Sequence, residues 1–218
     1  MVLYNGKGEL VPEVLSIAGM TVATIGDSFT SPGTWQSVAA ERTGCVISNV
    51  AQGGARYSYN PDAVGRSAYE QAATLSGNVD MVLITMGVND LNNRIPLGEF
   101  TPTNDYMSVD TSTVAGGLQK AIGHIQNTYP DAIIKVGWTP SGGCFLGPED
   151  DVDGMTAVIQ GVCSRMGVKY IDTLTCGITK YTNAHLGCFQ DGADGGHPTP
   201  EGYRVIGEYM ARKIIADW

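Results

Sequence analysis

Charge is scarce in this 218-residue chain, and positive charge scarcer still: thirteen Lys and Arg stand against twenty-two Asp and Glu, a net charge of −9. With no basic surplus there is no electrostatic footprint for phosphate backbones or anionic lipid surfaces, so nucleic acid is not an expected partner. Long hydrophobic runs are also missing. The longest nearly apolar stretches, Ala18 to Ile25 and Val79 to Val88, are strand-length, well short of the roughly 20 residues of a membrane helix, so no membrane span is expected. Met1 to Val11 mixes Asn5, Gly6, Lys7, Gly8 and Glu9 and lacks the apolar core of a secretory leader. Cysteine is limited to five residues, an odd number at irregular spacing, which argues against a disulfide framework. Cys45 and Cys163 sit in apolar patterns and read as core residues, while a single Cys176 to Cys188 bridge stays open.

What is present is a globular composition, 43% hydrophobic, and a repeated motif of a short apolar run followed by an amphipathic stretch. That repeat is the signature of parallel βαβ units. The expected strands are Thr21 to Gly26, Cys45 to Val50, Val79 to Met86, Ala132 to Trp138 and Val168 to Ile171. Val79 to Met86 is apolar almost throughout and should be a central strand, buried on both faces. Helices are expected over Gly33 to Thr43, Asp62 to Leu75, Val114 to Tyr129, Met155 to Met166 and Pro200 to Trp218. Leu91 to Thr111, with two prolines and many Asn, Thr and Asp residues, reads as a long excursion. One domain over residues 21 to 218, preceded by a 20-residue extension, accounts for the whole pattern. Five parallel strands flanked by helices give an α/β fold with an open, three-layer sheet. Its ligand crevice lies beyond the carboxyl ends of the strands.

The residues at those ends carry chemistry. Gly26-Asp27-Ser28-Phe29 follows the first strand and delivers a serine into a tight turn before a helix, a placement that suits a nucleophile, although a lone serine there is more often an N-cap. Asn49-Val50-Ala51-Gln52-Gly53-Gly54 follows the second, where glycines let backbone N–H groups approach a bound group. Gly87-Val88-Asn89-Asp90 follows the third, with an Asn amide able to donate two hydrogen bonds. Near the C-terminus, Asp194-Gly195-Gly196-His197 spaces a carboxylate and an imidazole so that one can orient the other. His124, mid-helix, carries no such signal. Together these segments supply a nucleophile, oxyanion donors, a base and its orienter, a constellation that fits acyl transfer.

Four such blocks in this order resemble the GDSL esterase/lipase family, the SGNH hydrolases, over Thr21 to about Ile215. The resemblance implies the SGNH hydrolase fold, a three-layer α/β/α arrangement around a five-stranded parallel, flavodoxin-like sheet. It also implies Ser28 as nucleophile, His197 as general base and Asp194 as its orienter, with no cofactor and no metal. The oxyanion hole would be formed by the Ser28 and Gly54 backbone N–H groups and the Asn89 side chain. Gly54 is preferred to Gly53 because the family glycine follows its Asn by five positions, and Asp191 competes weakly with Asp194. Asp27 and Asp90 read as braces for their turns. Phe29 stands where the family name has Leu, a change in packing and not in chemistry. The Pro96-Leu97-Gly98 excursion is similar, more loosely, to SGNH domains of bacterial surface and phage tail proteins. A zinc site from Cys176, His185 and Cys188 matches no standard ligand spacing.

Three functions fit these residues: a carbohydrate esterase removing short acyl groups, a lipase or thioesterase acting on longer chains, and a non-catalytic glycan-binding module. The complete catalytic set speaks against the last. The loops Tyr57 to Asp62, Asn92 to Asp110 and Ser141 to Asp151 are rich in polar and small residues. They offer little material for a fatty-acid trough, which favours acetyl or similar esters of a sugar, with Tyr57, Tyr59, Tyr106 and Trp138 as candidate stacking residues.

Overall fold

The computed structural model describes residues 3–4, 10–11, 17–142, 146–147, 149–190, 192 and 196–216. Two short strands near the start, β1 (Leu3–Tyr4) and β2 (Leu10–Val11), pair antiparallel in a sheet of their own. The main sheet comprises β3 (Thr21–Gly26), β4 (Val46–Asn49), β5 (Met81–Thr85), β6 (Ile133–Gly137) and β7 (Lys169–Tyr170), all parallel, in the order β4-β3-β5-β6-β7. The expected open parallel α/β sheet is therefore the observed one, with the order reversing between β3 and β5 where such folds place their ligands.

The period of two along the strands builds the layers. Met81 and Leu83 of β5, with Val22 of β3, enter a core formed with Trp35 of α1 (Thr34–Thr43) and Ile206, Met210 and Ile214 of α6 (Pro200–Ile215). Val82 and Ile84, with Ala23 and Ile25, enter the opposite core beneath α4 (Val114–Thr128) and α5 (Val152–Met166). Every residue of β5 is buried, as expected of a strand covered on both faces. β4 lies at the sheet edge, with Val46 54% exposed.

The expected helix over Asp62 to Leu75 contracts to α2 (Ala68–Ala72). Ser67 and Glu70 form a reciprocal capping box that starts the helix there, and Arg56 pairs with Ser67 as an isolated bridge, so residues before Ser67 belong to a loop. A further short helix, α3 (Val88–Asn92), begins directly after β5 and lifts Asn89 and Asp90 into the crevice end of the sheet. Lys135 occupies a buried position of β6 because its ammonium donates to the carbonyls of Lys213, Ile214 and Ala216, supplying donors that the last turn of α6 otherwise lacks. Among the described residues, no helix is long and apolar enough to cross a membrane.

Candidate active site

β3 ends at Gly26, where the chain folds back so sharply that a Cβ would lie 2.5 Å from the Thr30 side chain and 2.8 Å from the Thr85 carbonyl. Only glycine fits that approach. Asp27 then ties the turn together: its carboxylate accepts from the Phe29 N–H at 3.0 Å, and its carbonyl accepts from Thr30 and Ser31. Because Asp27 serves as the turn's brace and α1 starts at Thr34 after Gly33, Ser28 is not a helix cap. Its hydroxyl points elsewhere: Oγ lies 2.7 Å from Nε2 of His197, a residue 169 positions away. His197 is held by its own carbonyl, which accepts from the Gln190 N–H at 2.9 Å, and by the adjacent bridge between Phe189 and Pro198. Phe29, the departure from the family pattern, is buried with its ring centroid 5.2 Å from that of His197, so it forms part of the wall against which the imidazole rests.

The other candidates gather at the same end of the sheet. Gly54 adopts φ +76°, a left-handed conformation that favours glycine, and its N–H donates to no other described residue. The Ser28 N–H is likewise without an acceptor among the described residues. Gly53 adjoins the serine, since a Cβ built on it would sit 3.9 Å from Ser28 Cβ. Asn89 uses one amide hydrogen on the Ala55 carbonyl at 2.9 Å, which orients the group and leaves the second hydrogen available.

Two buried carboxylates hold these loops in register. Asp90 accepts from the Tyr57 and Ser58 N–H groups at 2.9 and 3.1 Å and from the Ser58 hydroxyl at 2.8 Å, fastening α3 to the loop after Gly54. Asp27 accepts from the Thr139 hydroxyl, and Thr139 Oγ1 in turn accepts from the Val88 N–H at 3.3 Å, so the turns bearing Ser28 and Asn89 are joined through the end of β6. Burial pushes Asp27 up to about 7, against the hydrogen bonds from Thr139 and Phe29, which pull it down. Burial likewise raises Asp90 to about 6, opposed by the donors from Tyr57 and Ser58. Both acids are thus braces, as the sequence suggested.

Three positioning residues were not legible in advance. Gln71 of α2 grips Gly26 on both sides, accepting from its N–H at 2.9 Å and donating to its carbonyl at 3.1 Å. Asn49 of β4 donates to the Thr30 and Ser31 carbonyls and accepts from Thr24. Thr139 completes the set. Asn49 stood in a block already singled out, but a polar residue inside a five-residue helix or at a strand end has no local signal.

Asp194, the expected orienter, and its competitor Asp191 lie outside the described residues. Two candidate stacking residues are corrected: Tyr57 and Trp138 are fully buried, with the Tyr57 hydroxyl on the Gly137 carbonyl and the Trp138 indole N–H on Thr156. Cys176 and Cys188 are not joined to each other, so the bridge left open between them is absent. Cys176 instead lies 2.6 Å from the Ser141 hydroxyl. Among the described residues, no cluster of His, Cys, Asp and Glu is arranged to hold a metal ion.

Solved structures share this architecture. A protein from Lactobacillus plantarum superposes with a TM-score of 0.71 at 20% identity, covering 93% of this chain and 99% of that one. A member of the lipolytic G-D-S-L family from Veillonella parvula gives 0.53 at 18% identity, over 92% and 100% of the two chains. A variant of an acetyl-xylooligosaccharide esterase from Geobacillus gives 0.58 at 16%, over 94% and 98%. At these identities the likeness establishes the fold. A comparison with curated proteins finds no match. The sequence itself matches the GDSL-like lipase/acylhydrolase family over residues 18–205. The fold and family together define a hydrolase of the SGNH class. The chain belongs to the GDSL-like lipase/acylhydrolase family and is a carboxylic ester hydrolase.

Proposed function

We propose that the protein removes short acyl groups, above all acetyl, from a carbohydrate through a Ser-His-Asp acyl-enzyme mechanism. The observation that carries the mechanism is the 2.7 Å contact between Ser28 Oγ and His197 Nε2. With Nε2 unprotonated, the hydroxyl donates to it, and as Ser28 Oγ attacks the ester carbonyl the proton passes to His197. The carbonyl oxygen gathers negative charge, which the Ser28 and Gly54 N–H groups and the second Asn89 amide hydrogen would receive. The C–O bond to the alcohol then breaks and the alcohol leaves with the proton from His197. Water attacks the acyl-serine by the same route, giving its proton to His197, which returns it to Ser28 Oγ as the acid departs. Asp194, by its match to the family block, orients the imidazole and favours its charged form.

The short acyl group is supported by what the surface offers. Large exposed apolar side chains among the described residues, such as Val46, Val64, Met107 and Ile215, are scattered along the chain. A long acyl chain needs contiguous apolar contacts, each buried methylene contributing about 0.8 kcal/mol. The sugar alcohol is supported by the polar loops and by the fold shared with an acetyl-xylooligosaccharide esterase. Hydrolysis of p-nitrophenyl esters of increasing acyl length tests the reading, with Ser28→Ala as the control. Expected is a kcat/KM maximum between acetyl and butyryl and no hydrolysis by the folded Ser28→Ala variant. A maximum at octanoyl or beyond would replace the glycan reading with a lipase or thioesterase, and an active Ser28→Ala would remove the nucleophile.

A further inference from the structure

The chain leaving Gly54 toward Tyr59 runs along two adjoining cavities. The first, about 180 Å³, is walled by Val64, Gly65 and Arg66 together with Tyr59 and Glu70. The second, about 340 Å³, shares Tyr59 and Glu70 and adds Tyr69, Thr111 and Lys120, a volume within the roughly 300–1,000 Å³ of small-molecule sites. The first cavity begins beside the proposed oxyanion donor: a Cβ on Gly54 would lie 3.5 Å from Val64 and from Gly65. Tyr59 follows Gly54 by five residues, so its Cα is at most about 17–18 Å away even along a fully extended backbone.

We infer that these cavities form a subsite for a neutral sugar unit of an oligosaccharide whose esterified unit sits at Ser28, with Tyr59 as the stacking platform. The inference rests on the carbohydrate reading above and places the part of the substrate that does not react. Tyr59 is 44% exposed, and its backbone is pinned by the N–H bond to the Thr111 carbonyl at 2.7 Å. Its neighbours Tyr57 and Ser58 are fastened to Asp90, so the platform is rigid before any ligand arrives. Tyr69 is not a second platform, because the Lys120 ammonium lies over its ring at 4.5 Å and His124 packs edge-on at 5.4 Å.

The cavity that Tyr59 lines also holds one acceptor and one donor. Glu70 commits Oε2 to the Ser67 N–H and hydroxyl, at 2.8 and 2.9 Å, and Oε1 takes no donor among the described residues. Lys120 forms no ion pair with a carboxylate among the described residues. A carboxylate and an ammonium lining the same cavity as an exposed aromatic ring match vicinal hydroxyls, which both donate and accept, on a ring with an apolar C–H face. The two charges are opposite, and the protein as a whole carries −9, so a neutral sugar is favoured over an acidic one.

The test compares kcat/KM for acetylated xylo-oligosaccharides with that for p-nitrophenyl acetate, which carries no sugar unit. In Tyr59→Ala the ratio should fall at least tenfold, through KM, and Tyr59→Trp should restore most of it. In the Ser28→Ala background, calorimetric titration with xylo-oligosaccharides should show binding that Tyr59→Ala removes. An unchanged ratio in Tyr59→Ala, with the wild type active on the oligosaccharide, overturns the subsite and leaves the carbohydrate reading standing. A wild type that cleaves p-nitrophenyl acetate but no acetylated oligosaccharide, acetylated gluco-oligosaccharides included, overturns both.

Discussion

Replacing Asp27 by Asn should make the protein's stability less sensitive to alkaline pH, by an amount that follows from where the carboxylate is buried. Asp27 has no exposure to solvent, and burial raises it from an ordinary 3.8 to about 7. At 1.36 kcal/mol per tenfold change in proton affinity, that rise corresponds to about 4 kcal/mol. A carboxyl that holds its proton more tightly in the folded chain favours folding while neutral. Its contribution is complete below about pH 4 and is lost as pH climbs through about 7. The amide of the Asp27→Asn variant cannot ionise and incurs no such loss. It carries instead a constant handicap of about 1–2 kcal/mol, because its NH2 meets Thr139 Oγ1, which already accepts from the Val88 N–H. The stability of Asp27→Asn relative to the wild type should therefore rise by about 3 kcal/mol between about pH 4.5 and 8.5, flattening above 7. His124, which burial pushes down and which loses stabilising effect as pH falls, is common to both proteins and drops out of the difference. Urea unfolding at several pH values gives the two curves. A difference that is flat over this range, or that falls with pH, would refute the account of Asp27 as a buried carboxylate held against its desolvation.

Asn89→Ala removes one proposed oxyanion donor and should lower kcat by about 10²–10³-fold on p-nitrophenyl acetate with little change in KM. A defect confined to KM would assign Asn89 to substrate binding instead. Lys135→Met leaves the Lys213, Ile214 and Ala216 carbonyls without their shared donor and should lower unfolding stability by about 1–3 kcal/mol in urea titrations. Unaltered stability would show that the end of α6 does not depend on that cap.

Much of this protein is set by short-range pattern. Alternation along Thr21–Gly26 and Met81–Thr85 determines which side chains face which helical layer, because successive Cβ atoms of a strand point oppositely whatever the rest of the chain does. Strand-end glycines and the Asp27, Asn89 and Asp90 turns are local too, since backbone geometry over a few residues requires them. Hence the fold and four candidate blocks were legible in one dimension. The extent of the helix expected over Asp62 to Leu75 was not, because the Arg56 bridge and the Ser67 capping box hold residues before Ser67 in a loop. Nor could pattern tell an accessible aromatic from a structural one: Tyr57 and Trp138 are consumed by partners 80 and 18 residues away, while Tyr59 stays at the surface. Lys135 reads as an ordinary charge until α6 brings three carbonyls to it. The contact on which the proposed chemistry turns joins residues 28 and 197, and it exists only because the turn after β3 and the loop before α6 meet at the same end of the sheet. Spacing in sequence can nominate such a pair, but the distance between them is a property of the packed layers alone.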